Sequence, residues 1–198
     1  SKYIVEEQRA DPKRIGLNSV YRKNLLNNRN ITVGLNFNRQ STHYFNVLDD
    51  LLGGDFWVDI DQFADRDFDD PIISQNDLST PNKVAKEGDV IGWDYNIVTR
   101  ATSLFGQYEK KWQKVEVYAA AHLAQTSFRR DGNVQNGRFP ETSEGKGESQ
   151  DFLTGGIKAG ATYKITGRQF IVANAAYLNR PPSPRNSFLS ARTRPDVI

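Results

Sequence analysis

The sequence predicts an all-β fold, an antiparallel meander of about six strands. Apolar residues recur at every second position in six separate stretches. The connections between those stretches alternate between short and long. No apolar run approaches the ~20 residues that a membrane helix needs. Such a meander suits either the wall of an outer-membrane barrel or a soluble β-sandwich, since alternation alone does not say which face is covered.

The first strand covers about 12–23, with Ile15, Leu17, Ser19 and Tyr21 alternating with Gly16, Asn18, Val20 and Arg22. After Asn24–Arg29 comes a second, 30–40, in which Ile31, Val33, Leu35 and Phe37 alternate with Thr32, Gly34, Asn36 and Asn38. The third, 93–109, offers two faces of unfixed register, Leu104, Gly106 and Tyr108 against Ala101, Ser103 and Phe105. The fourth is 115–129. Val115, Val117, Ala119, Ala121 and Leu123 form a small, greasy face, opposite Glu116, Tyr118, Ala120, His122 and Ala124. The last two strands are 151–165 and 169–179. Ile157, Ala159, Ala161 and Tyr163 share one side of the former, and Ile171, Ala173, Ala175 and Tyr177 one side of the latter.

Short turns fall at Asn24–Arg29, Lys110–Lys114 and Thr166–Arg168. Ser41–Gly92 and Arg130–Gln150 are long, and a Pro- and Arg-rich tail runs from Arg180. All short turns therefore lie at one end of the sheet and all long loops at the other. This asymmetry matches an outer-membrane barrel with short periplasmic turns and long extracellular loops. The alanines of the greasy faces are small for a soluble core, whereas lipid conforms to them without leaving cavities. On the barrel reading the lipid-facing residues are Val115, Val117, Ala119, Ala121, Leu123, Ile157, Ala159, Ala161, Tyr163, Ile171, Ala173, Ala175 and Tyr177. Trp112, Phe128, Tyr163, Phe170 and Tyr177 would form interfacial girdles.

Composition excludes several classes. The net charge of +2 is too small to argue for nucleic acid. Without cysteine there is neither a disulfide framework nor a thiolate site. The mean hydropathy of −0.64 leaves a barrel open, because only alternate residues meet lipid. Both ends read as cut from a longer protein, which would put any targeting segment outside this sequence.

The long loops carry little chemistry. Ser41–Leu52 breaks the period of two and predicts a short helix, capped by Ser41 or Thr42 and ended by Gly53-Gly54. Tyr44, Val47, Leu48, Leu51 and Leu52 would form its apolar face and give the loop a small core of its own. Asp49, Asp50, Asp55, Asp59, Asp61, Asp65, Asp67, Asp69 and Asp70 invite calcium, but no EF-hand spacing is present, and a solvated acidic surface is the simpler reading. Nothing supports Asp59 and Asp61 as a hydrolytic carboxylate pair. Asp131-Gly132, Asn136-Gly137, Glu144-Gly145 and Lys146-Gly147 are turn dipeptides, and Gly145-Lys146-Gly147 lacks phosphate-loop spacing. With only His43 and His122, zinc sites and catalytic triads lack material, so no enzyme, metal or cofactor is expected.

The stretches RRDGNVQNGRFPETSEGKGE and IKAGATYKITGRQFIVANAAYLNRPPSPRNSFLSART, from Arg129 and Ile157 onward, resemble the barrel of TonB-dependent receptors of Bacteroidetes-type bacteria. The subgroup is the one whose chains begin with a carboxypeptidase-regulatory-like domain. LLGGDFWVDIDQFADRDF and NDLSTPNKVAKEGDVIGWDYNI, from Leu51 and Asn76, are similar to that family's long extracellular loop. The resemblance runs roughly from Asp11 to the end. It implies that residues 1–198 are a C-terminal-side portion of a large barrel in the cell outer membrane, without its plug domain and TonB box. It implies active transport: ligand binds at the extracellular loops and is imported with TonB-supplied energy. Implied partners are outer-membrane lipid, the TonB complex through the plug, and a surface lipoprotein where one caps the barrel. Phe56, Trp57, Arg129, Arg130, Arg138, Phe139 and Arg192 become the candidate ligand contacts, because aromatic rings and guanidinium groups give area and oriented donors. Two other readings stay open: a non-energised outer-membrane barrel or channel, and a soluble β-sheet carbohydrate-binding module.

Overall fold

A computed structural model describes residues 3–68 and 70–197; of the residues read above, Asp69 lies outside them. The elements in chain order are β1 (Val5–Leu25), β2 (Arg29–Asp50), β3 (Trp57–Val58), α1 (Gln62–Asp67), β4 (Val84–Ala85), β5 (Val90–Lys111), β6 (Val115–Gly132), β7 (Gly145–Lys146), β8 (Gln150–Lys164), β9 (Phe170–Leu178) and α2 (Pro184–Ser187). The long strands form one antiparallel meander in the order β1-β2-β5-β6-β8-β9, with β7 pairing the end of β6. β3 and β4 make a separate two-stranded sheet. The sheet is open among the described residues: the outer edges of β1 and β9 have no partner strand, so the meander does not close into a barrel.

All six expected strands form, and most run longer than their alternation suggested. β1, β2 and β5 have 21, 22 and 22 residues. The turn between β1 and β2 is tight enough to need left-handed backbone, supplied by Asn27 (φ 64°) and Asn28 (φ 54°). Asparagine tolerates that region better than other non-glycine residues.

The expected helix over Ser41–Leu52 is not there. β2 continues to Asp50, paired with β1 on one side and β5 on the other. The period of two is lost because both faces of this stretch are covered: Phe45, Asn46, Val47 and Leu48 are buried in succession, which imitates a helical stripe in sequence. The strand keeps its register with β1 through these four residues. The bulge beside them lies in β5, where Gly92 and Trp93 are extra between Ile91, opposite Asn46, and Asp94, opposite Phe45; β2 has an extra residue of its own only at Asp49. The long loop does contain a short helix, α1, capped by Asp61, which accepts from the Phe63 and Ala64 amides at 3.0 and 3.1 Å. Of the residues expected to form a loop core, Leu48 and Leu51 do so, with Ala85, Ile91, Ile4 and Trp57; Leu52 is exposed and Tyr44 packs against a different cluster.

Register assigns the faces, because residues directly opposite one another project to the same side. Leu17, Phe37, Thr102 and Gln125 lie in one row; Ser19, Leu35, Leu104, Leu123 and Gly155 lie in the next. Below them come Tyr21, Val33, Gly106, Ala121, Ile157 and Tyr177, then Lys23, Ile31, Tyr108, Ala119, Ala159 and Ala175. This settles the third strand: Leu104, Gly106 and Tyr108 join the greasy face. Every residue of β6, β8 and β9 predicted to face lipid falls on it.

Candidate functional site

The greasy face is open. Most of its side chains are exposed, from Phe37 at 38% to Ile15 and Tyr177 at 73%, while Ile31, Val115 and Val117 are half-buried. The opposite face carries Arg14, Asn18, Arg22, Thr32, Asn36, Asn38, Ser103, Gln107, His122, Thr154 and Thr162, and is the better shielded of the two along β2, β5, β6 and β8. Its polar groups bond across strands. The Arg22 guanidinium donates to the Thr32 hydroxyl at 3.2 Å, and Arg14 donates to the Asn38 carbonyl oxygen at 2.8 Å. Tyr118 donates to Asn174 at 3.1 Å, and Lys164 pairs with Glu116 at 2.6 Å. Three rings lie across directly opposed glycines, Phe105 on Gly34, Tyr118 on Gly160 and His122 on Gly156, where a Cβ would collide with each ring. Glycine thus lets an aromatic lie flat on the sheet.

On the greasy face, basic residues border the apolar stretch at both ends. Lys13 and Lys23 flank it on β1, Arg29 and Arg39 on β2, and Arg100 and Lys110 on β5, each pair ten positions apart. Ten residues at a rise of ~3.3 Å, tilted by ~40°, project to about 25 Å, the height of an apolar band on a membrane barrel. Tyr163 lies on this face near its short-turn border and Trp112 is half exposed in its turn; Tyr177 lies on the same face but in the row of Val33, Gly106, Ala121 and Ile157, within the apolar band. Phe128 does not join them. It lies on the polar side, 1% exposed, stacked on Phe152 at 5.4 Å and capped edge-on by Phe188 at 5.8 Å. Phe170 also falls on the polar side, opposite Lys164. Strand parity decides both, and the aromatic count near strand ends does not.

At the long-loop end, a cluster of rings and guanidinium groups gathers on the polar side. Tyr95 stacks on Tyr44 at 5.3 Å and lies 5.6 Å from Trp93. Arg130 sits 5.3 Å over the Tyr95 ring, and Arg192 sits 5.0 Å over Trp93. Tyr95, Ile97, Phe128 and Phe188 form the core beneath. Arg130 is 1% exposed. Its Nε donates to the Ala191 carbonyl and its Nη1 to the Ser143 carbonyl, both at 2.6 Å. It therefore clasps the 133–149 loop and the C-terminal tail to β6, while its Nη2 has no partner. The two long loops also join each other: the Leu78 amide donates to the Gln135 carbonyl at 2.7 Å and the Gly137 amide to the Gln75 carbonyl at 2.9 Å.

The candidate ligand contacts divide among these places. Arg130 and Arg192 belong to the ring cluster. Arg129 projects to the other face and pairs with Asp131 at 2.8 Å. Arg138 lies 5.8 Å from the Phe68 ring and 3.7 Å from Asp61, and Phe139 is covered by Arg194 at 4.9 Å. Phe56 and Trp57 line a separate surface cleft of about 490 Å³ with Gly53, Asp55, Ile60 and Gln62. Tyr44, Trp93, Tyr95 and Phe188 were not among the candidates. Alternation within the expected strand 93–109 already put Trp93 and Tyr95 on one side, but nothing in the sequence brought Arg130 and Arg192 to that side.

The aspartates have structural tasks. Asp59 is buried, and its Oδ1 accepts from Asn76 Nδ2 at 2.7 Å and from the Gly92 amide at 2.9 Å. Burial pushes its carboxyl above the ordinary carboxylate value, against those two hydrogen bonds. Asp61 caps α1, so the two acids do not act as a facing pair. Among the described residues no three His, Asp or Glu side chains converge as metal ligands. No family model matches the chain, and searches of curated proteins and of solved structures find no match.

Proposed function

We propose that this chain is a stretch of the wall of an outer-membrane β-barrel whose long loops bind a ligand at the cell surface. One observation carries the reading: along the four inner strands β2, β5, β6 and β8 the apolar face is the more open one and the polar face the better shielded one. A water-soluble sheet covers its apolar face, because burying apolar area stabilises by about 25 cal/mol per Å². Lipid supplies that cover for a barrel. The ten-residue spacing of the bordering cations supports the same orientation. The open edges of β1 and β9 are then where further strands complete the wall, since unpaired edges have no place in hydrocarbon.

Within that reading, the resemblance of the loop stretches supports a TonB-dependent receptor. The outer edge of the ring and guanidinium cluster, where exposed Arg192 lies over half-buried Trp93, is the part of this wall best furnished to meet a ligand. Energised import rests on the resemblance alone.

This stretch adds no cysteine of its own to the test. Single cysteines at Val117, Ala119 and Ala121, and at Glu116, Tyr118 and Ala120, are placed in the full-length protein that completes this wall, expressed in outer membrane, and labelled with nitroxide. The expected result is that the first set is relaxed by oxygen and the second by a water-soluble paramagnetic reagent. A first set shielded from both would place protein against the greasy face and overturn the membrane reading in favour of a soluble module.

A further inference from the structure

Arg39 and Arg100 are directly opposite one another on β2 and β5, on the greasy face, at its loop-end border. Both are exposed. Among the described residues neither has a hydrogen bond or an ion pair, although neighbouring Arg129 and His43 are each engaged by an aspartate. Lys13 lies diagonally from Arg39, opposite Ser41. Asp11 and Asp151 sit at the flanks of this patch without contacting it. Like charges directly opposite on a sheet repel, and an anion held between them removes that repulsion. Paired guanidinium groups present the donor fork that matches phosphate oxygens.

The surface below the pair is shaped. Leu35 and Leu104 come first, and then a groove of about 800 Å³ whose floor is Ala119, Ala121 and Ala159, between walls from Val33, Ile157 and Tyr177. From Arg39 to Val33 is six residues. That is ~20 Å along the strand and ~15 Å along the membrane normal at the tilt used above, the depth of one leaflet of a ~30 Å hydrocarbon core. At the other border Arg29 and Lys110 are also opposed, but the Lys110 ammonium is 4.5 Å from the Trp112 ring. The loop-end pair is the one left open.

Resting on the membrane-wall reading, we propose that Arg39, Arg100 and Lys13 bind the phosphate-bearing head group of a membrane lipid whose acyl chain runs down Leu35 and Leu104 into the alanine-floored groove. Charge and apolar groove in line fit an anionic amphiphile, and a soluble anion would use only the upper half of the site.

The full-length protein that completes this wall and its R39Q/R100Q variant are reconstituted into vesicles of phosphatidylcholine and of a phosphatidylcholine–phosphatidylglycerol mixture. Retained lipid is read by native mass spectrometry, and insertion by the nitroxide at Ala121. The expected result is insertion of both proteins, a wild-type preference for phosphatidylglycerol on the order of tenfold or more, and loss of most of it in the variant. Insertion with equal lipid retention in the two proteins overturns the lipid site and leaves the membrane reading standing. Release of the retained lipid by inorganic phosphate, regardless of acyl-chain length, overturns the choice of a lipid over a soluble anion. Failure of the Ala121 label to enter lipid overturns both.

Discussion

Below the row of Ile15, Arg39 and Arg100 the sheet has a complete backbone ladder and almost no side-chain core. Above it the same strands bury Leu48, Ile91, Tyr95, Ile97 and Phe128 beneath loops and tail. One set of strands thus meets two solvents. The upper part carries the burial that folding in water demands. The lower part leaves its apolar side chains uncovered, and its covering must come from elsewhere. Similar strand propensity serves both, so the contrast resides in which parity is apolar and in whether the loops fold over it.

The contrast breaks most directly with one charge placed on either side of the border. Ala121 and Ser127 share a strand and a face, six positions apart. Ala121→Arg puts a guanidinium mid-band and is expected to cost about 2–4 kcal/mol in vesicles, while Ser127→Arg, level with Arg39 and Arg100, costs about 0–1 kcal/mol. Urea unfolding in lipid measures both. Equal costs would remove the distinction between the two regions.

Arg130 sharpens the upper half. Arg130→Met retains an aliphatic stem but leaves the buried Ser143 and Ala191 carbonyls without their donor. Docking of the 133–149 loop and the tail is expected to weaken by about 2–3 kcal/mol. Limited proteolysis should nick those segments sooner, while hydrogen exchange of β5 and β6 within the band stays unchanged. Slowed nicking or an exchange change spread through the band would show that the clasp does not act locally.

The lower half was legible in the sequence because its physics has a short period. Val115 to Leu123 and Ile171 to Tyr177 need only alternation to declare a face. The upper half was not, for two physical reasons. Loops and tail cover both faces of β2 at this end, so Phe45 to Leu48 read as a helical stripe although the chain stays extended. Contacts distant in sequence also decide which rings meet. Phe188 covers Phe128, and Arg192 covers Trp93, only because the tail turns back over the sheet. Arg129 and Arg130 looked equivalent as neighbours, yet adjacent residues of a strand project to opposite sides, one to an aspartate and one into the clasp.

Two glycines on opposite faces of the band differ in how tightly they tolerate a methyl group. On the polar side, a Cβ at Gly34 collides with the Phe105 ring; on the greasy side, a Cβ at Gly106 meets only Val33 Cγ1 at 4.0 Å. Gly34→Ala is expected to cost about 1–2 kcal/mol by forcing the ring from the sheet. Gly106→Ala should stay within about 0.5 kcal/mol. Adding Phe105→Ala to Gly34→Ala should make the two changes less than additive, and strict additivity would show that the ring does not rest on the glycine.

The smallest effect belongs to Asp59, beneath the long loop. Its folded-state carboxyl is raised above the ordinary value of 3.8, chiefly by burial. Proton binding therefore favours the docked loop. The stabilisation is fully present below that ordinary value and is lost as the pH rises through the higher folded one. Asp59→Asn keeps a carbonyl oxygen for the Asn76 and Gly92 donors and carries no charge at any pH. Hydrogen exchange at residues 57–60 and 91–92, corrected for the intrinsic pH dependence of exchange, should show protection falling from pH 4 upward in the wild type and flat in the variant. Protection that rises with pH in the wild type would mean that the Asn76 and Gly92 hydrogen bonds outweigh burial. The carboxylate would then hold the loop down as an anion, and the upper region would owe part of its stability to charge.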